Sequence, residues 1–161
     1  MYLNKRKAIF HISIFLLVFI LTINDIKSQE LIVVDGDTIY LNGKKIRFTG
    51  IDTPELKQTC IKQGIKIFCG VTAKKKLIDK IADNTVECIN EGKDQYKRTL
   101  AECFVNNESL SSYLVRSGYA FAYRKYSKKF IEDENYAKFN QIGMWSMEFD
   151  YPWDYRKLKK N

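Results

Sequence analysis

Histidine is all but missing from this sequence. The one copy in 161 residues, His11, lies inside the apolar run Ala8–Ile23. Lys5, Arg6 and Lys7 precede that run, so it reads as the h-region of a signal peptide, with Ser28 at the cut and Gln29 as the new N-terminus. The run is shorter than the ~20 apolar residues of a spanning helix. Cleavage is therefore the favoured reading, with an uncleaved membrane anchor as the alternative. On the favoured reading the mature chain contains no histidine. That excludes Ser–His and Cys–His hydrolysis, histidine-based ribonuclease chemistry and any zinc site that needs imidazole. A general base has to be a carboxylate, or less readily a Lys or Tyr.

Other absences narrow the field further. There is no internal repeat and no low-complexity stretch. No CxxC pair occurs among Cys60, Cys69, Cys88 and Cys103, which argues against a zinc ribbon or a thioredoxin-like redox pair. No cysteine follows the apolar run, which argues against a lipoprotein. An exported chain with an even cysteine count favours disulfides, and the spacing leaves all three connectivities open. Acidic residues are the minority, 19 against 27 basic, for a net charge of +8. Removing residues 1–28 takes away four basic residues and Asp25, leaving +5. Such a surface favours polyanions, weakly. Length points to one domain, and 45% apolar with 29% charged residues is an ordinary globular balance.

What the chain does have is a local concentration of acid. The stretch "DGDTIYLNGKKIRFTGIDTPE", Asp35 to Glu55, gathers Asp35, Asp37, Asp52 and Glu55 around Arg47. "TIYL" and "KIRFTGI" flank Asn42-Gly43, a strong hairpin signal. With those two residues as the turn, Leu41 faces Lys44, Ile39 faces Ile46, and Asp37 falls opposite Phe48, next to Arg47. Pro54 ends the second strand. Residues 56–70 read as polar and irregular. "VTAKKKLIDKIAD" predicts a helix capped by Thr72, with Leu77, Ile78, Ile81 and Ala82 on its stripe. "TVECI" and "TLAECFV" read as strands around the polar loop "NEGKDQYKR". "SLSSYLVRSG" predicts a helix stopped by Gly118, and a last helix is expected from near Ser127 to Gly143. The tail "YRKLKKN" reads as basic and frayed. Five short strands with a helix between the third and fourth suggest an α+β, mainly β fold: a five-stranded OB-type barrel with three packed helices.

Asp37, Asp52 and Glu55 meet at one end of that small sheet. Carboxylates held this close repel unless a cation or proton intervenes, and a hard divalent cation with oxygen ligands meets the need. Taken singly, each acid is better explained as a turn or cap residue, and Arg47 as a salt-bridge partner, but the acids combined with Arg47 are not. Arg98 follows "DQYK" at the entrance to the next strand. Two guanidinium forks aimed at one place suit phosphate. Phosphate, metal and a carboxylate base together make a phosphodiesterase constellation.

The blocks "VDGDT", "IRFTGIDTPE", "DQYKRTLA", "LVRSGYA" and "IGMWS" resemble, in order and spacing, the staphylococcal nuclease family, over roughly Leu31 to Ser146. The resemblance implies an OB-fold barrel with three helices. It implies a calcium-dependent nuclease cutting single-stranded or locally open DNA and RNA with little sequence preference, breaking the P–O5′ bond and leaving 3′-phosphate ends. It casts Asp37, Asp52 and the Thr53 carbonyl as calcium ligands, and Asp35 as an outer-shell acid. Glu55 becomes the residue that activates or positions water. Arg47 and Arg98 become the arginines that stabilise the five-coordinate transition state.

The chain departs from the family pattern at Lys97, where glycine is usual, and after Glu55, where a lysine-rich loop is replaced by a cysteine-flanked segment. The resemblance suggests a Cys60–Cys69 clip as in related exported members, and Cys88 and Cys103 on adjacent strands suggest a second. Tyr123 and Tyr126 are similar in place to tyrosines that frame the terminal nucleotide, and Tyr96 joins them as a candidate substrate contact. Packing of a helix junction explains the first two equally well. The expected organisation is a signal peptide at 1–28, a nuclease-like domain at 29–146 and a basic tail at 147–161. The expected product is an exported monomer with no stable protein partner. Ligand type alone does not choose calcium over magnesium. The rival reading is a non-catalytic or membrane-anchored nucleic-acid-binding module of the same fold.

Overall fold

Asn42 and Gly43 both adopt left-handed backbone, φ 49° and 76°, the geometry of a tight two-residue hairpin turn. In the computed structural model, which describes residues 29–160, this turn joins strand β2 (Thr38–Leu41) to β3 (Lys44–Phe48). The register is the one expected, with Leu41 opposite Lys44 and Ile39 opposite Ile46. Strand β1 (Leu31–Val33) pairs antiparallel with β2. Beyond Gly50 the chain enters β4 (Ile51–Asp52).

Residues 56–70 are more ordered than their polarity suggests. They contain a hairpin of β5 (Cys60–Lys62) and β6 (Ile65–Ile67) around Gln63 and Gly64, both left-handed. The Cys60–Cys69 disulfide closes its base. Helix α1 (Cys69–Ile81) starts at that disulfide, earlier than expected. Thr72 is therefore not its cap. It sits in the first turn, where its hydroxyl donates to the Phe68 carbonyl. Ala73, Leu77 and Ile81 are buried, whereas Ile78 is 45% exposed. The i, i+4, i+8 stripe faces the barrel and excludes its neighbour Ile78.

Strand β7 (Glu87–Lys93) runs further than read from sequence and carries an irregularity between Asn90 and Gly92, so the following loop is confined to 94–98. Strand β8 (Thr99–Val105) pairs antiparallel with β7 and parallel with β3, giving the path β1-β2-β3-β8-β7, and β9 (Glu108–Ser109) adds to β8. Cys88 and Cys103 are direct register partners joined by the second disulfide. Helix α2 (Leu110–Arg116) is capped by the Ser109 hydroxyl. Strand β10 (Phe121–Ala122) pairs with β4. Helix α3 (Ile131–Phe139) is shorter than the predicted span from Ser127 to Gly143. A 3-10 turn over Gly143–Ser146 takes over at its far end.

The five-stranded OB-type barrel with α1–α3 is thus as predicted, and a fourth helix, α4 (Pro152–Leu158), is added to it. Tyr155–Leu158, the first part of the tail expected to fray, belong to this helix. Ile39, Phe48, Leu77, Val105, Leu110 and Leu114 lie at the centre of the main core. A second cluster explains why the chain end does not fray. Phe121 and Met144 pack with Trp145, Phe149, Tyr151 and Trp153. Trp153 stacks between Tyr151 at 4.7 Å and Tyr123 at 5.6 Å. Aromatic faces of this size bring large apolar burial and tie α4 to the end of the barrel where β10 meets β4.

Candidate active site

Asp37 and Asp52 are brought together by two turns. An Asx turn, in which the Asp37 amide donates to Asp35 Oδ1 at 3.0 Å, delivers Asp37 to the start of β2. The β3–β4 corner at Gly50, φ 75°, delivers Asp52. Both acids are buried, at 2% and 0% exposure. The Thr53 amide donates to Asp37 Oδ2 at 3.0 Å and the Thr38 hydroxyl to Asp37 Oδ1 at 3.1 Å. Gly36 is required here for close approach, because a Cβ on it would lie 2.9 Å from Thr53 Oγ1.

Arg47 bridges the two aspartates, one nitrogen to Asp37 and the other to Asp52 Oδ1 at 2.9 Å. The neighbourhood expected from the hairpin is therefore real. Burial alone would weaken the charge on Arg47, but Asp37 and Asp52 hold its pKa above the usual value. Burial pushes the Asp37 carboxyl up to about 7, against the pull of Arg47, and Asp35 and Asp52 push the same way. Negative charge at Asp37 is thus under-compensated by Arg47, a condition that a divalent cation relieves. Two carboxylates and a backbone carbonyl are hard oxygen donors suited to calcium or magnesium. Among the described residues no three His, Cys, Asp or Glu side chains converge as a ready-made cage. A cation held by Asp37, Asp52 and the Thr53 carbonyl would have to complete its shell with water and substrate.

Glu55 stands at the rim, and its backbone is held firmly. Its amide donates to Gln58 Oε1 at 3.2 Å, its carbonyl accepts from the Gln58 amide at 2.7 Å, and Gly70 of α1 packs onto that carbonyl with no room for a Cβ. Gln58 is itself fully buried and donates from Nε2 to the Asp150 carbonyl at 2.7 Å, so the Glu55 loop is tied to the C-terminal segment.

Arg98 lies on the 94–98 loop. Leu100, two residues on, is the register partner of Arg47 across the parallel β3–β8 pair, so Arg98 immediately precedes the strand that adjoins Arg47. Its side chain is turned to its own loop, with Nε donating to Asp94 Oδ2 at 2.6 Å. Slight desolvation of Asp94 is outweighed by hydrogen bonds from Arg98 and the Tyr96 amide, which hold its carboxyl below the usual range. Lys97, in the position where glycine is usual, has φ 63°. Tyr96 is exposed beneath the Arg98 guanidinium at 5.6 Å. Tyr123 and Tyr126 meet edge to face at 5.0 Å, and one face of Tyr123 is covered by Trp153.

One residue in the site escaped the sequence reading. Arg156 of α4 donates from Nη2 to Asp52 Oδ2 at 2.6 Å and from Nη1 to Asp52 Oδ1 at 3.2 Å and Glu55 Oε1 at 2.9 Å. These bonds to Asp52 and Glu55 outweigh its partial burial and raise its pKa further. Signals for the helix existed in Pro152 at its first turn, Asp154 near its start and Arg156 and Lys157 near its end. Nothing local indicated where Arg156 points, because its partners lie 104 and 101 residues earlier.

The model of the family described as staphylococcal nuclease homologue matches residues 45–147. An uncharacterized endonuclease of Haemophilus influenzae is 31% identical over 121 residues, covering 71% of this chain and 63% of that protein. The endonuclease YncB of Bacillus subtilis is 32% identical over 136 residues, covering 70% of this chain and 58% of its own length. A "probable staphylococcal-like nuclease" of Oryza sativa subsp. japonica is 26% identical over 140 residues, 85% of this chain but 35% of the rice protein. The matched region thus spans from about a third to under two thirds of these relatives. With most of its barrel inside the matched region, the chain belongs to the staphylococcal nuclease homologue family.

Proposed function

We propose that this chain is an exported, calcium-dependent nuclease that hydrolyses phosphodiester bonds of DNA and RNA with little sequence preference. The observation that carries the reading is the pair of buried aspartates, Asp37 and Asp52, bridged by Arg47 at one end of the barrel, with Glu55 linked to Asp52 through Arg156. Relatives named as endonucleases support it.

In this reading Asp37, Asp52 and the Thr53 carbonyl hold the cation, with Asp35 behind Asp37. When bound, calcium neutralises substrate charge and so lets a nucleophile approach a phosphodiester. Glu55 positions a water molecule and accepts its proton. The water oxygen bonds to phosphorus, the P–O5′ bond breaks, and the leaving O5′ takes a proton to give a 5′-hydroxyl opposite a 3′-phosphate. Arg47 and Arg98 donate to the phosphoryl oxygens, where charge grows as the reaction proceeds, so their bonds strengthen in the transition state. Arg98 has to exchange Asp94 for phosphate to do this. Tyr96, Tyr123 and Tyr126 lie on the surface available to the flanking nucleotides.

Export rests on the apolar run 8–23, which lies outside the described residues, and is supported by two disulfides, which persist in oxidising compartments. N-terminal sequencing of the exported protein separates cleavage after Ser28 from a retained anchor. The activity is tested by digesting single-stranded DNA and RNA with calcium, magnesium or chelator, followed by end-group analysis. Cleavage is expected with calcium and not with chelator, leaving 3′-phosphates. Binding without cleavage under every condition would mark a non-catalytic module instead.

A further inference from the structure

Beside the carboxylates lies a cleft of about 620 Å³, between the 55–57 segment and α4. Asp35, Glu55 and Leu56 line it together with Lys57, Tyr155, Arg156, Lys159 and Lys160, four cations against two acids. Its two walls are joined, since the Tyr155 hydroxyl donates to the Lys57 carbonyl at 3.2 Å. The positive charge in it is placed rather than scattered. The Lys159 ammonium sits 5.7 Å from the centre of the Tyr155 ring, so the aromatic face holds it at the cleft. Lys157, on the same helix, is instead neutralised by Asp154 at 2.8 Å and takes no part in the lining. Lys159 and Lys160, which form no ion pair among the described residues, thus line the cleft, whereas the paired Lys157 does not.

We propose that this cleft is a substrate subsite, built by the C-terminal helix, that binds the phosphate backbone of a single nucleic-acid strand flanking the bond to be cut. The proposal rests on the nuclease reading and extends it to residues beyond the family match, which ends at 147. Its volume is that of a small-ligand site, so it takes one strand at nucleotide scale. Lys57, Lys159 and Lys160 supply point charges that suit phosphates without reading bases. Arg156 forms the junction, because its guanidinium pairs with Asp52 and Glu55 and the residue also lines the cleft.

The test is the triple variant Lys57→Ala, Lys159→Ala, Lys160→Ala in the full mature chain, with Lys157→Ala as control. Equilibrium binding of a single-stranded oligothymidylate is measured in chelator across a salt series. Turnover of a dinucleotide, too short to extend from the scissile bond along the cleft, is measured separately in calcium. For single strands the salt slope falls by about 0.7 for each phosphate that is no longer neutralised. The triple variant should therefore lose about 2 from the slope and roughly tenfold or more in affinity, with dinucleotide turnover unchanged and the control matching wild type. Wild-type affinity and slope in the triple variant overturn the subsite. So does an equal loss in Lys157→Ala, which would reduce the effect to overall charge. A wild-type protein that cleaves neither the dinucleotide nor longer single-stranded DNA and RNA in calcium overturns the nuclease reading instead, and the binding series still decides the cleft. The substituted lysines are exposed, and an unchanged circular dichroism melt checks that the fold is intact.

Discussion

At the scale of single residues, geometry separates arginines that sequence alone treats alike. Arg47 spans two buried aspartates, whereas Arg98 is held by one acid of its own loop. Arg98→Lys keeps the charge and loses the planar fork. Single-turnover cleavage should fall about 10²-fold or more, with substrate affinity falling far less. An intact chemical step would reduce Arg98 to a local salt-bridge partner. Arg47→Lys should lose turnover similarly and also stability, because an ammonium cannot bridge Asp37 and Asp52 in the same manner. Lys97 offers the opposite kind of test. Its left-handed backbone is one an L side chain adopts at a cost of roughly 1–2 kcal/mol. Lys97→Gly relieves that cost while adding freedom to the unfolded chain. A gain near ~1 kcal/mol in denaturant unfolding is expected, and a loss would show that the Lys97 side chain stabilises the loop.

At the scale of elements, α4 is the segment whose role changes most. Its aromatic residues stack on the barrel end, and its arginine reaches the acids. Arg156→Gln leaves Asp52, fully buried, with Arg47 as its remaining cationic partner among the described residues. Because Arg156 itself is 37% exposed, the cost should fall between that of a surface pair and a buried one, roughly 1–3 kcal/mol without metal. Calcium should then raise the melting temperature of the variant more than that of wild type, since a cation on Asp52 no longer competes with a guanidinium. Equal calcium shifts in the two proteins would show that Arg156 and the ion do not share Asp52. Asp37→Ala is expected to abolish most of the calcium shift in either background.

At the scale of the whole molecule, the two disulfides cross-link different things. Cys88–Cys103 ties two neighbouring strands of the barrel, and Cys60–Cys69 closes the hairpin that follows Glu55 and abuts α1. Both close short loops, so each should stabilise by at most roughly 3 kcal/mol. Their functional effects should diverge. Cys88→Ser with Cys103→Ser should lower the unfolding midpoint and leave turnover of folded protein unchanged. Cys60→Ser with Cys69→Ser should lower both, because the backbone that aims Glu55 runs directly into that hairpin. Equal turnover in the two pairs would free Glu55 of any dependence on the clip. Non-reducing peptide mapping of the exported protein checks the pairing itself, and free thiols or crossed bridges would remove the premise.

The sequence by itself determined the features that depend on neighbours a few residues apart. Asn42-Gly43 set the hairpin register and so brought Asp37 to Arg47, because a two-residue turn leaves the strands no other alignment. Period and stop residues placed α1, α2 and most of the barrel strands, and the order of the strands, five with a helix between the third and fourth, gave the architecture. Boundaries moved where long-range contacts intervened: α1 began at a disulfide rather than at Thr72, and α3 shortened before the 3-10 turn that brings Met144 into the second core. The tail was misread as frayed because a seven-residue helix has little stability of its own in water. Its order comes from Trp153 between two tyrosine rings and from Arg156 on acids about a hundred residues away. Only the folded chain brings those groups within reach, so only the tertiary structure decided that the C-terminus closes the site and lines the cleft beside it.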